Sequence, residues 1–129
     1  MRLVDVYSEP AAVDILYRLL GERAPEACVS HRVLPSQEEH ARFVASRPFL
    51  HWFLIDKDER HYIGALECTD RNELGIAILR EHQRRGLGEM ALSVFLREHN
   101  PLPPLPAIRN GAWVANVAPG NVASINFWR

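Results

Sequence analysis

The most constraining stretch of the sequence is a polar turn that joins an apolar strand to an amphipathic helix. A strand is predicted over Leu74–Leu79, and it is apolar on both faces, which favours a central position in a sheet. A helix is predicted over Leu87–His99, because its apolar residues recur at i, i+3, i+4, i+7 and i+8. The turn between them ends in a Gly-x-Gly formed by Gly86 and Gly88.

This glycine turn combines features that suit a bound anion. A helix N-terminus offers free N–H groups and about half a positive charge. Gly86 and Gly88 let the backbone approach closely, and Arg84 and Arg85 add charged donors. The turn therefore predicts a phosphate cradle, with a plain strand-to-helix turn as the alternative. It lacks the Gly-Lys-Ser/Thr of a P-loop and lies too late in the chain for a Rossmann fingerprint, in which Ala91 would replace the third glycine.

The remaining pattern predicts one domain over residues 1–129. Short strands before the glycine turn favour an antiparallel meander, and the helices around it favour a three-layer, mixed α/β fold. The further predicted strands are Leu3–Tyr7, Trp52–Asp56, Tyr62–Cys68 and Ala112–Val117, and the further predicted helices are Ala11–Leu20, Ser36–Ala45 and Asn121–Trp128.

Local signals place the ends of these helices. Ser8 is expected to be the N-cap of the first helix and Gly21 its C′ residue. Ser36 and Glu39 form a capping box at the start of the second helix. The proline-rich run Pro101–Pro106 predicts a non-helical connector, with a PxxP ligand for an adaptor partner as the alternative.

Bulk properties exclude several classes of protein. A formal net charge of −1 provides no field that would draw the chain to nucleic acid or a membrane. Cys28 and Cys68 are too few for a disulfide framework, so buried free thiols and a reducing cytoplasm are expected. There is no signal-peptide pattern and no apolar run of about 18 residues. The histidines show no metal spacing, so no metal is expected.

Two motifs carry a resemblance to a known family. The segment Gln83–Gly88 resembles the Gln/Arg-x-x-Gly-x-Gly/Ala signature of the GNAT N-acetyltransferases, and Asn116–Ile125 is similar to a later family segment of the form V-x-x-x-N-x-x-S/A-I. The resemblance implies the GNAT fold, acetyl-CoA as cosubstrate, and direct attack on the thioester by a primary amine. The family continues into further strands, so the final strands are expected to be missing here.

The resemblance also implies which residues contact the cofactor. The central strand of the family splays from its neighbour, and its backbone pairs with pantetheine. By the match of motifs, the cofactor-binding residues are Ile76, Ala77 and Ile78 along pantetheine, Arg84, Arg85, Gly86, Leu87, Gly88 and Glu89 at the pyrophosphate, and Asn121 and Ser124 near the thiol.

The catalytic groups are harder to assign, because Trp128 stands where the family usually has a tyrosine acid and Asn116 where some members have a glutamate. Indole cannot supply a proton. Glu73 and Glu67 are the candidate general bases, against readings as a solvated turn residue and an exposed edge-strand charge. A water chain would need neither carboxylate.

The acceptor is predicted to be a small-molecule or amino-sugar amine rather than a protein amine. The region around His31 and His40 resembles enzymes that act on nucleotide-linked amino sugars, with helix-packing histidines as the alternative. Trp52 and Phe53 are expected in the core rather than as a sugar-stacking platform. The rival function is a non-catalytic acyl-CoA-binding or interaction domain, which Trp128 and the missing strands favour. An exposed sheet edge would also favour a homodimer, or a chain clipped from a longer protein.

Overall fold

The computed structural model describes residues 1–22 and 34–115. Within these ranges the strands are β1 (Arg2–Asp5), β2 (His51–Asp56), β3 (Tyr62–Cys68), β4 (Glu73–Ile78) and β5 (Val114–Ala115). They form one sheet in the order β1-β2-β3-β4-β5. Strands β1 to β4 pair antiparallel with one another, and β5 runs parallel to β4. The predicted mixed, mostly antiparallel sheet is therefore confirmed.

Three α-helices are described, namely α1 (Ala12–Glu22), α2 (Gln37–Ala45) and α3 (Leu87–Glu98). Both halves of the predicted capping box at Ser36 are present at the start of α2. Two predicted helix ends are wrong. Ser8 lies in a 3₁₀ turn, where its hydroxyl donates to Asp5, and Gly21 lies inside α1. The helix continues to Glu22 because that residue binds the backbone N–H and the side chain of Arg80.

The helices cover the two faces of the sheet and form three layers. On one face, α1 and α2 pack on Trp52, Leu54 and Ala65. On the other face, α3 buries Ala91 and Phe95 against the sheet. Trp52 is a core residue, as predicted.

Asn72 joins the start of β4 to the proline-rich connector and to β5. This buried residue has a φ of 61°. Its side-chain amide donates to the Leu102 carbonyl (3.0 Å) and accepts from the Leu102 N–H (2.8 Å). Its own carbonyl accepts from the N–H of Val114 at 2.8 Å. The connector is non-helical, as predicted, and one end of it is fastened to the sheet.

No helix in residues 1–22 or 34–115 is long and apolar enough to cross a membrane.

Candidate functional site

The glycine turn places an uncapped helix N-terminus at the end of β4. Gly86 is the N-cap of α3, with φ 71° and ψ 11°, and no side chain of the described chain caps the helix there. A left-handed backbone strains a residue with a Cβ by about 1–2 kcal/mol, so the conformation favours glycine here. No described atom lies within 4 Å of the position that a Cβ would take. The first N–H groups of α3 have no side-chain cap among the described residues, and such groups can bind an anion.

The residues before Gly86 shape this turn. The side-chain amide of Gln83 donates to the Ile78 carbonyl at 2.9 Å and closes the loop back onto β4. A 3₁₀ turn, Arg80–His82, follows β4, and Arg18 of α1 pairs with Glu81 in it. The signature glutamine is thus a structural residue here, and the turn is braced from α1.

The guanidinium groups of the turn are available to a ligand. Arg84 and Arg85 are exposed, and neither forms an ion pair among the described residues. The backbone of Arg84 is also left-handed, with a φ of 63°. The left-handed residues Arg84 and Gly86 bend the chain here, a backbone geometry that can form an anion-binding concavity. Leu87, in contrast, is buried beneath the helix and contributes to such a site through its backbone N–H.

Strand β4 presents different groups on its two faces and its two edges. Ile76 and Ile78 pack toward α3, whereas Ala77 packs toward α1 and α2. In the ladder with β3, the Thr69 N–H donates to the Glu73 carbonyl, and the register continues unbroken from there. Because antiparallel residues alternate in the direction of their hydrogen bonds, the N–H and C=O of Ile76 point away from β3, toward the β5 side.

The pairing between β4 and β5 covers Glu73 and Leu74 in the described residues. Beyond Ala115 the path of the chain lies outside the described ranges. The start of the parallel pair is fixed by Asn72, which binds Val114 directly before β4. The predicted splay between the two strands therefore stays a prediction.

A cleft of about 630 Å³ opens at the other end of β4. Such a volume is typical of a small-molecule site. Four of the residues that line it are charged, namely Arg47, Asp70, Arg71 and Glu73. The Thr69 hydroxyl donates to the Glu73 carboxylate at 3.2 Å and accepts from the backbone N–H of Glu73. A predicted base candidate thus lies in a cleft with its carboxylate oriented by a neighbour.

Glu67, the second base candidate, shares a sheet face with Glu73. In the register, Trp52, Glu67 and Gly75 lie side by side across three strands, so their side chains point the same way. Glu73 is two residues before Gly75 and therefore lies on the same face. A Cβ at Gly75 would meet the Glu67 Cγ and Oε1 at 3.1 Å, so the glutamate side chain lies over the glycine. Both carboxylates face the α1 and α2 layer.

Tyr7 and Arg47 form one wall of the cleft. The Tyr7 hydroxyl donates to the carbonyl of Phe49 (2.9 Å) and accepts from its N–H (3.1 Å). Burial raises the pKa of Tyr7, the hydrogen bond to Phe49 and the charge of Arg47 oppose this, and nearby carboxylates, including Glu67, add to the rise. The Arg47 guanidinium lies 4.7 Å from the Tyr7 ring centre. The phenol is a fixed, neutral support for the arginine.

The predicted acceptor histidines are not brought into this cleft by the described residues. His40 is 5% exposed and packs on the ring of Tyr17 between α1 and α2, with ring centres 5.3 Å apart. Burial lowers its pKa, so the neutral imidazole is favoured. This placement agrees with the helix-packing alternative, and a substrate role for His40 stays a prediction. His31, Asn121 and Ser124 lie outside the described residues.

Sequence reasoning did not find Tyr7, Arg47 or Arg71 as site residues. Their segments are separated by 20 residues or more, and no local motif links them. The local signal in the sequence is Arg47-Pro48, which predicts the end of the second helix and carries no indication of a site. Arg47 has a left-handed φ of 52° at the position after a helix where glycine is usual. This feature becomes visible only when the backbone is known.

Comparison with known proteins agrees with this architecture. The chain matches the acetyltransferase (GNAT) family over residues 13–129 and therefore belongs to that family. It is similar to the crystal structure of an acetyltransferase from Thermus thermophilus, with a TM-score of 0.62 and 22% identity, over 78% of this chain and 70% of that one. At this identity the likeness shows the fold. A search of curated proteins found no match.

Proposed function

We propose that the chain is an acetyl-CoA-dependent N-acetyltransferase in which a primary amine attacks the thioester directly. Membership of the GNAT family supports acyl transfer in general. The proposal that acetyl-CoA is the donor and a primary amine the acceptor is supported by the arrangement along β4. An uncapped helix N-terminus with a left-handed glycine lies beyond its Ile78 end, and a cleft with an oriented carboxylate lies at Glu73. About 17 Å of strand separate these two ends.

The proposed cofactor site uses mostly backbone groups. The N–H groups of Leu87, Gly88 and Glu89 are in the first turn of α3 and would bind the pyrophosphate, with Arg84 and Arg85 as charged donors. Backbone groups of β4, between Ile76 and Ile78, would hold the pantetheine arm. Asn121 and Ser124 stay predictions for the thiol end of the cofactor. When bound, acetyl-CoA supplies the activated acetyl group.

Besides the cofactor, the reaction needs a general base for the amine and a hydrogen-bond donor for the oxyanion. Glu73, oriented by Thr69, would take a proton from the attacking amine directly or through water, with Glu67 on the same face as the second candidate. The Ile76 N–H points toward the β5 side and is the candidate donor to the developing oxyanion. The acid that protonates the leaving thiolate is not assigned among these groups.

The experiment that tests the proposal combines binding with turnover. Acetyl-CoA should raise the thermal midpoint, because a ligand that binds only the native state stabilises it by mass action. Release of the CoA thiol should then be measured over a panel of small amines, amino sugars, amino acids and peptide N-termini. Turnover of at least one amine supports the proposal, and the absence of a thermal shift at millimolar acetyl-CoA contradicts it.

The rival proposal is a non-catalytic acyl-CoA-binding domain, which Trp128 at the usual tyrosine position favours. A thermal shift with acetyl-CoA, together with no thiol release on any amine in the panel, would establish this alternative. The two proposals share the same cofactor site. They differ in whether the cleft at Glu73 binds an amine for acetylation.

Two further expectations also stay proposals. A cytoplasmic location rests on the low cysteine content and on the buried Cys68, whose pKa is raised to about 11 by burial, so that its thiol is unreactive at neutral pH. A homodimer formed through a sheet edge is tested by native mass measurement, in which a monomer would contradict it.

A further inference from the structure

The charges that line the cleft at the Glu73 end are balanced, and this restricts the acceptor. Two guanidinium groups, of Arg47 and Arg71, line it together with two carboxylates, of Asp70 and Glu73. A simple alkylamine enters as a cation and would be repelled by the arginines, whereas an anion without an amine would be repelled by the carboxylates. A small molecule with one anionic and one cationic group would pair with the arginines and with the carboxylates.

Arg47 is held in place before any ligand arrives. Its backbone N–H donates to the carbonyl of Val44 at 3.1 Å at the end of α2, and its backbone is left-handed with Pro48 next in the chain. Its guanidinium lies on the Tyr7 ring, which is itself fixed by two hydrogen bonds to Phe49. A guanidinium fixed in this way loses little freedom on binding, so it is suited to a planar carboxylate.

An apolar wall lies beside these charges. Pro48, Phe49 and Leu50 line the same cleft. The Phe49 ring packs edge-on against Trp52, with ring centres 4.8 Å apart, so its position is set by the core. An acceptor with an apolar or aromatic side chain next to its charged groups would bury that side chain here.

We propose that the acceptor is a small zwitterionic amine of the amino-acid class, with its carboxylate on Arg47 and Arg71 and its amino group near Glu73. This inference rests on the proposed acetyltransferase function. It differs from the amino-sugar acceptor that the N-terminal pattern suggested. A simple amino sugar carries no anion for the two arginines, and a nucleotide-linked one carries a diphosphate rather than a carboxylate beside its amine.

The test uses an amino acid and its amide, which share a skeleton and differ at the carboxylate, together with an amino sugar. Initial rates of CoA thiol release are measured at saturating acetyl-CoA with phenylalanine, phenylalaninamide and glucosamine. Phenylalanine should give a kcat/KM at least about tenfold above that of its amide, since a charge-assisted hydrogen bond is worth about one factor of ten or more. An amide or glucosamine that reacts as well as the acid would overturn the proposal.

Variants assign the preference to Arg47. Arg47→Ala should lower kcat/KM for phenylalanine about tenfold or more and leave the amide within about threefold, so that the preference disappears. Arg47→Lys should recover part of the loss, because the charge remains and the bidentate geometry does not. Arg42→Ala, an exposed arginine on α2 that does not line the cleft, is the matched control. An equal loss on acid and amide in Arg47→Ala would contradict the assignment.

A binding arm separates failure of this inference from failure of the proposed function. Saturation-transfer NMR with phenylalanine and its amide, in the presence of CoA, does not require turnover. Binding of phenylalanine that Arg47→Ala removes supports the cleft assignment even if no amine is acetylated. Absence of phenylalanine binding in a protein that still shows a thermal shift with acetyl-CoA overturns the inference and leaves the cofactor proposal intact.

Discussion

At the Ile78 end of β4, the proposed cofactor end, the candidate anion-binding groups are backbone N–H groups from one continuous segment. At the Glu73 end, the proposed acceptor end, the polar groups are side chains from three separate segments. Gly86 and the first turn of α3 belong to the same stretch of sequence. Tyr7, Arg47 and Glu73 are brought together only by the sheet and by the end of α2. The cofactor end therefore depends on backbone conformation, and the acceptor end depends on tertiary packing.

This difference determines how each end responds to substitution. A backbone site tolerates many side chains but not a change at the left-handed glycine. A side-chain site loses function when one oriented group is removed, while the backbone and the other ligand are unaffected. The two ends should therefore be separable by single substitutions that affect one ligand each.

The largest expected effect is at the acceptor end. Glu73→Gln removes the proposed base and should lower kcat by about 10²–10⁴, the usual contribution of a positioned general base. Acetyl-CoA affinity should stay within about twofold, because the carboxylate lies away from the cofactor turn. Stopped-time thiol assays and calorimetric titration measure the two quantities. Glu67→Gln is the matched variant, and wild-type kcat in Glu73→Gln with a loss in Glu67→Gln would transfer the role to Glu67.

The next effect is at the cofactor end. Gly86→Asp places a Cβ on a left-handed backbone, which costs about 1–2 kcal/mol. Its carboxylate also repels phosphate at the helix N-terminus, so acetyl-CoA affinity should fall by about 100-fold. Gly21→Ala, inside α1 with no described atom within 4 Å of its Cβ, is the matched glycine control and should be neutral or stabilising. Unchanged titration of Gly86→Asp with acetyl-CoA would refute the backbone cradle.

The hydrogen bonds by which Asn72 links β4 to the proline-rich connector are tested by the free energy of unfolding. Asn72→Ala removes two hydrogen bonds to Leu102 and leaves a Cβ residue without an amide at positive φ. The free energy of unfolding should fall by about 2–4 kcal/mol. Asn72→Gly keeps the backbone conformation accessible, so its free energy of unfolding should fall less than that of the alanine variant. Urea denaturation of both variants checks this order, and equal stabilities would show that the φ of 61° is not a constraint.

Much of the cofactor end was predictable from the sequence, and little of the acceptor end was. Strand β3, the capping box of α2 and the glycine turn follow from local patterns, because periodicity and cap chemistry act within a few residues. The predicted end of α1, at Leu20, is two residues too early because Glu22 is fixed by a tertiary bond to Arg80, 58 residues away. The wall formed by Tyr7 and Arg47 has the same origin, since a contact over 40 residues leaves no local pattern.

Asp56 provides a stability control at a residue that is assigned to neither proposed site. Burial pushes the pKa of Asp56 upward, but hydrogen bonds from Arg2 and from the backbone N–H groups of Arg60 and His61 outweigh it, so the pKa lies below its usual value. The resulting stability is present above the unfolded pKa of about 4 and is lost as the pH falls through the folded value.

Asp56→Asn should therefore cost about 1–3 kcal/mol at pH 7. The gap to wild type should shrink below about pH 4, where the Asp56 carboxyl of the unfolded wild type takes up a proton, while the amide of the variant does not titrate. Chemical denaturation from pH 7 to pH 3 follows this gap, and the activity of the folded variant should be unchanged. A gap that is constant across this range would show that the ionised carboxylate does not stabilise the fold.

The smallest effect probes Glu67 through its neighbour. Gly75→Ala would place a Cβ 3.1 Å from the Glu67 Cγ and Oε1, so the flexible glutamate must move while the strand stays paired. Stability should change by less than about 1 kcal/mol. Turnover should fall by about threefold if the Glu67 carboxylate assists the acceptor, a loss below 1 kcal/mol. Wild-type turnover in Gly75→Ala would remove Glu67 from the mechanism.

The most direct measurement is calorimetric titration of wild type and Gly86→Asp with acetyl-CoA. We expect saturable 1:1 binding by the wild type and an affinity weaker by about 100-fold in Gly86→Asp. Without ligand, the thermal midpoint of Gly86→Asp should be lower by about 4–8 °C, so both proteins are folded at the temperature of the titration. No binding by the folded wild type, or equal affinity in both proteins, would contradict the claim that the turn Gln83–Gly88 and the start of α3 form the cofactor site.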